Sequence, residues 1–116
     1  MSGSPTDDET AAAVSEAVSR LFLEKFGKGP LHIETYVNGD VLTTLMSDVL
    51  NPGERVMIAD GRQVSVLTTR MLWQRATESM FKEAVGAATG REVLAVISGL
   101  ELDKEMGSEV FVLAPR

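Results

Sequence analysis

Two periods alternate along the chain. Between Thr6 and Phe26, apolar residues recur at Val14, Val18, Leu21, Phe22 and Phe26, the spacing of one helical face. Thr6 and Glu9 stand three apart at the start and predict a capping box, with Asp7 and Asp8 at the positive end of the helix dipole. Beyond Pro30 the period falls to two. The segment LHIETYVNGDVLTTLMS is rich in β-branched residues and carries Asn38-Gly39 at its middle, which predicts a hairpin turning on those two residues. That register sets Val37 opposite Asp40, Thr35 opposite Leu42, Ile33 opposite Thr44 and Leu31 opposite Met46. One face (Leu31, Ile33, Val37, Leu42, Met46) is the better core. The other (His32, Glu34, Tyr36, Val41, Thr43, Leu45) is mixed and suits a half-covered surface or an interface.

Asn51, Pro52 and Glu54 form a strong helix start, predicting a short helix to about Ala59. From about Arg62 to Ala88 there is no proline and one glycine, Gly86, which predicts the longest helix. Its apolar residues, Val64, Leu67, Met71, Met80, Phe81, Ala84, Val85 and Ala88, spread widely round the axis. They predict contact with both a sheet and another helix, with Met71 and Met80 as core fillers. Gly90 marks its end. EVLAVISGLEL and SEVFVLAP, joined by DKEMG, predict a second hairpin. The expected fold is two-layer α+β in the order α-β-β-α-α-β-β. Two hairpins form one antiparallel four-stranded sheet with helices on one face. Residues 1–5 are expected to be a disordered tail, and 6–116 one domain.

The 116 residues are 44% apolar, which suits one hydrophobic core. The formal charge of −6 disfavours non-specific nucleic-acid binding and charge-driven docking on anionic lipid. There are no cysteines, so disulfides, thiolate zinc sites, iron–sulfur clusters and cysteine nucleophiles are excluded. No apolar run reaches the roughly 18 residues that span a bilayer, and the polar MSGSPTDDET is no signal peptide. A cytoplasmic protein is expected, without direct membrane insertion and without nucleic acid. A membrane role requires a partner that supplies the membrane part.

The chemistry-bearing patterns are few. FGKGP leaves a helix and enters a strand, the reverse of a phosphate loop. Gly27, Gly29 and Pro30 therefore read as a corner, with Gly27 or Gly29 at positive φ. His32 is the only histidine; Glu34 shares its face and can pair with it, but no catalytic motif surrounds them. Arg70 and Trp73 share a side of the long helix, where arginine can stack on the indole and hold an anion. The ordinary reading of that side is a solvated face paired with Glu78 and Glu83. No catalytic residue, cofactor or metal site is expected.

The ordered set FGKGP, TYVNGDVLTTLMSDVLNPGER, Arg70, ATGREVLAVISGLEL and VFVLAP resembles the MpsC family, from about Val14 to Leu113. Its members are small bacterial proteins named for a sodium-translocating, membrane-potential-generating system. The resemblance maps Gly27, Gly29 and Pro30 onto the family's turn and Tyr36 onto its first strand. It maps Glu54 and Arg55 onto the short helix, and Arg70 and Gly90 onto the long helix and its end. Members often carry an acidic residue near the position of Gly99, which this chain lacks. The resemblance implies an accessory or regulatory subunit of a membrane system that moves sodium or supports inorganic-carbon uptake. A homo-oligomer is expected, docking on a membrane complex through Tyr36, Val41 and Leu45. The alternative is a cytoplasmic sensor binding a small anion at Arg55 or Arg70. A small enzyme built round His32 ranks third.

Overall fold

Thr6 opens the first helix as the sequence predicts. Its hydroxyl accepts from the Glu9 N–H at 3.1 Å, and the Glu9 carboxylate accepts from the Thr6 N–H at 3.1 Å. The computed structural model describes residues 5–116; the expected tail lies outside the described residues apart from Pro5, which is exposed. The elements are α1 (Asp7–Phe26), β1 (His32–Asn38), β2 (Val41–Ser47), α2 (Pro52–Ala59), α3 (Gln63–Thr89), β3 (Val93–Glu101) and β4 (Met106–Leu113). The expected α+β fold and element order hold. α1 ends on Gly27 at φ +83°, a left-handed position without penalty for glycine, and α2 starts on a second capping box between Asn51 and Glu54.

The four strands form one antiparallel sheet in the order β1-β2-β4-β3. α1 lies on β1, α3 lies on β3, and the two helices pack against each other on the same face. The core between the layers holds Val14, Val18 and Phe22 from α1 and Phe81 and Val85 from α3. They meet Leu42, Met46, Phe111 and Leu113 from the sheet. Each such side chain stabilises the fold by about 1.5–3 kcal/mol relative to exposure. An aromatic cluster of Phe22, Phe26, Trp73 and Phe81 joins the two helices, with neighbouring ring centroids 5.3–6.5 Å apart.

Three expectations are corrected. The first hairpin turns on Gly39-Asp40, so Asn38 pairs with Val41, Val37 with Leu42 and Thr35 with Thr44. Gly39 alone takes positive φ, +61°, the pattern of a turn with glycine at its first central position. The pairing moves by two residues, which keeps every side chain on its expected face. Leu31 precedes the strand and is exposed, so the core face begins at Ile33. Met71 and Met80 are exposed, as are Val64 and Leu67. α3 buries only the narrow stripe Val66, Arg70, Thr77, Phe81 and Val85. Met71 and Met80 each sit one residue, about 100°, round the helix from that stripe.

Among the described residues, no helix covers the opposite face of the sheet. Cross-strand register places Tyr36, Thr43, Val110 and Ile97 in one row across all four strands, with Val41 and Leu45 in the flanking rows. Tyr36, Val41, Leu45 and Ile97 are exposed.

Candidate functional site

Along β4 the inward residues are Gly107, Glu109, Phe111 and Leu113. Three belong in a core; Glu109 carries a carboxylate and is 2% exposed. The register explains how it is accommodated. Thr35, Thr44, Glu109 and Ser98 stand side by side across β1, β2, β4 and β3. They form a polar rung between two apolar ones, Val37–Leu42–Phe111–Val96 and Ile33–Met46–Gly107–Leu100. The Ser98 hydroxyl donates to the Glu109 carboxylate. Thr35 and Thr44 share a hydrogen bond of 2.9 Å, and Ser15 of α1 meets Thr35 at 2.7 Å.

Glu109 forms part of a cavity of about 440 Å³ between α3 and the β3–β4 hairpin. Met71, Phe81 and Val96 supply apolar wall, Ser98 and Glu109 polar floor, and Arg75 and Glu78 line it from the helix. Burial pushes the Glu109 carboxyl up to about 7, against the opposing pull of the Ser98 hydroxyl and the Arg70 charge. Such a group changes charge near neutral pH, a property concentrated at functional sites.

Arg70 is buried, 3% exposed, which overturns the solvated-face reading. Its Nε donates to Glu54 at 2.6 Å and its Nη2 to the other Glu54 oxygen at 3.0 Å; it also donates to the Val49 carbonyl. The guanidinium stacks over Phe26, with Cζ 4.0 Å from the ring centroid, and not over Trp73. Trp73 turns into the aromatic cluster, and its indole N–H points at the Lys25 carbonyl, 3.4 Å away. Arg70 thus ties the ends of α1 and α2 to α3, with its Nε and Nη2 donors on internal partners.

Arg55 lies in a second network at one end of the sheet. It donates to Glu105 at 2.8 Å and pairs with Asp48, which also pairs with Lys28 of the FGKGP corner at 3.3 Å. Lys28, followed by Arg55, holds the Asp48 carboxyl below its ordinary range. Asp48 and Glu105 both take positive φ, +55° and +52°. Such backbone costs about 1–2 kcal/mol per residue outside glycine, and the charges clamp it in place.

His32 and Tyr36 lie exposed on the helix-free face. Glu34 accepts from the Tyr36 hydroxyl, which raises the phenol. Gly29 and Pro30 join Gly27 in the corner, and Gly90 caps α3 at φ +67°. Among the described residues, no group of three or more His, Asp or Glu side chains is placed to hold a metal.

The structure therefore separates Tyr36, Arg55 and Arg70 into three environments. It assembles instead a cavity round Glu109, which the sequence reading passed over. The signal was present: Glu109 has the same parity as Phe111 and Leu113 in SEVFVLAP.

A family model described as Na+-translocating membrane potential-generating system (MpsC) matches residues 6–115. No curated protein and no solved structure matches the chain. Among the described residues, no helix is long and apolar enough to cross a membrane.

Proposed function

The chain belongs to the MpsC family, and from that premise we propose that it is a non-catalytic accessory subunit of a sodium-translocating membrane system. It attaches through the helix-free face of its sheet to the cytoplasmic side of an integral membrane subunit. The observation that carries this reading is the apolar centre of that face, where Tyr36, Val41, Leu45 and Ile97 stand exposed. The whole face, four strands about 4.8 Å apart and seven residues long, spans roughly 450 Å², with His32, Glu34, Thr43, Ser108 and Glu101 round the apolar centre. That is below the roughly 800 Å² per partner of a stable complex, and suits an accessory contact.

Charge favours the same partner. The chain carries −6, and Glu34 and Glu101 lie on this face. Cytoplasmic loops of membrane proteins carry an excess of Lys and Arg, so steering between the two is attractive. Anion sensing is less well supported, because Arg55 and Arg70 already hold internal carboxylates. A binding assay against membranes containing the system tests the reading. Tyr36→Ala and Leu45→Ala are expected to weaken binding with melting unchanged; undiminished binding in both variants contradicts it. A second copy of this chain on the same face would appear as a dimer lost in the same variants, and would redirect the assignment.

A further inference from the structure

Glu109 sits where an aliphatic side chain would pack well, on the inward face of β4 beside Phe111. A buried carboxylate is unfavourable unless a cation or several donors meet it. Among the described residues Glu109 receives one hydroxyl, from Ser98. Arg70 acts on it through its charge alone, without a hydrogen bond or ion pair between them; its Nε and Nη2 donate to Glu54 and Val49. The remaining approach to Glu109 is the cavity. Arg75 and Glu78, which also line it, form no ion pair among the described residues.

We propose that this cavity binds a small molecule carrying a protonated amine, with the ammonium group seated on the Glu109 carboxylate beside Ser98. An ammonium offers three donors and a full positive charge, the complement of a buried carboxylate with one hydroxyl. The alkyl part of the molecule lies against Met71, Phe81 and Val96. The volume of about 440 Å³ falls in the lower part of the small-ligand range. An anion is repelled by Glu109, and the cavity lacks the ligands of a divalent metal site. Arg75 provides for the carboxylate of an amino acid; Glu78 provides for the second ammonium of a diamine. The cavity lies on the helix-covered side of the sheet and shares only Ile97 with the proposed docking face, so variants at Tyr36 and Leu45 test docking separately from Glu109.

The test is melting and calorimetric titration of the full chain in mildly alkaline buffer. The probes are γ-aminobutyrate and 1,4-diaminobutane, with butanoate and butanol as amine-free controls. At least one amine is expected to raise the Tm by roughly 5 °C at about ten times its Kd, and the controls to leave it unchanged. Glu109→Gln keeps the shape and a partner for Ser98, and is expected to abolish the response. Met71→Trp, at an exposed lining position, blocks the cavity by bulk and is expected to do the same should Glu109→Gln fail to fold. Arg75→Ala is expected to weaken γ-aminobutyrate alone, and Glu78→Gln the diamine alone, which identifies the source of the amine. No response to either amine, or a response as large in Met71→Trp and Glu109→Gln as in the parent chain, overturns the proposal.

Discussion

Arg70 and Glu54 meet in two hydrogen bonds, 2.6 and 3.0 Å, across a separation of sixteen residues. Glu54 also accepts from the Asn51 N–H at 2.9 Å, so one carboxylate caps α2 and anchors α3. Arg70→Ala strands that carboxylate and the Val49 carbonyl, and is expected to destabilise by about 3–5 kcal/mol. Arg70→Lys recovers only part, because an ammonium cannot reproduce the planar fork over Phe26. Arg55→Ala removes two ion pairs, to Asp48 and Glu105, whose arginine side chain is 44% exposed, and is expected to cost far less than Arg70→Ala. Urea denaturation of the three variants checks the order.

Glu109 predicts a pH dependence of definite sign. Its carboxyl titrates near 7 when folded and near 4.5 when exposed. Between those values the folded chain holds a proton that the unfolded chain has released, so stability from this group falls as pH rises. The full loss is on the order of 3 kcal/mol, reached above 7 and absent below 4.5. Glu109→Gln removes the dependence. Its stability relative to the parent is expected to rise across that window in denaturation curves; a constant difference contradicts the assignment.

The first hairpin separates two turn assignments. Gly39 holds φ +61°, and Asn38 is the last paired residue of β1. Gly39→Ala is expected to cost about 1–2 kcal/mol. Asn38→Ala is expected to change stability by no more than about 0.5 kcal/mol. Equal losses by thermal denaturation would restore Asn38-Gly39 as the turn.

Local signals gave the architecture. Thr6 with Glu9, and Asn51 with Pro52 and Glu54, are short-range capping patterns, and both form as read. The faces of β1 and β2 followed from parity, which survives a two-residue slip. What the sequence hid depends on distant partners. Arg70 is buried because Glu54 and Phe26 meet it from two other helices. Met71 and Met80 lie outside a buried stripe narrower than the apolar arc. Glu109 was legible by parity, but a carboxylate at a core position makes sense only once Ser98 and the cavity lie beside it.

Tyr36 and Leu45 carry the docking claim, and the most direct measurement is site-specific photo-crosslinking from the helix-free face. A photoreactive residue at position 45 or 97 is expected to crosslink to an integral membrane subunit of the system. The same residue at exposed Leu23 or Val64, on the helical layer, is expected to give none. Crosslinks from positions 23 and 64 to that subunit, with none from 45 and 97, would contradict the account.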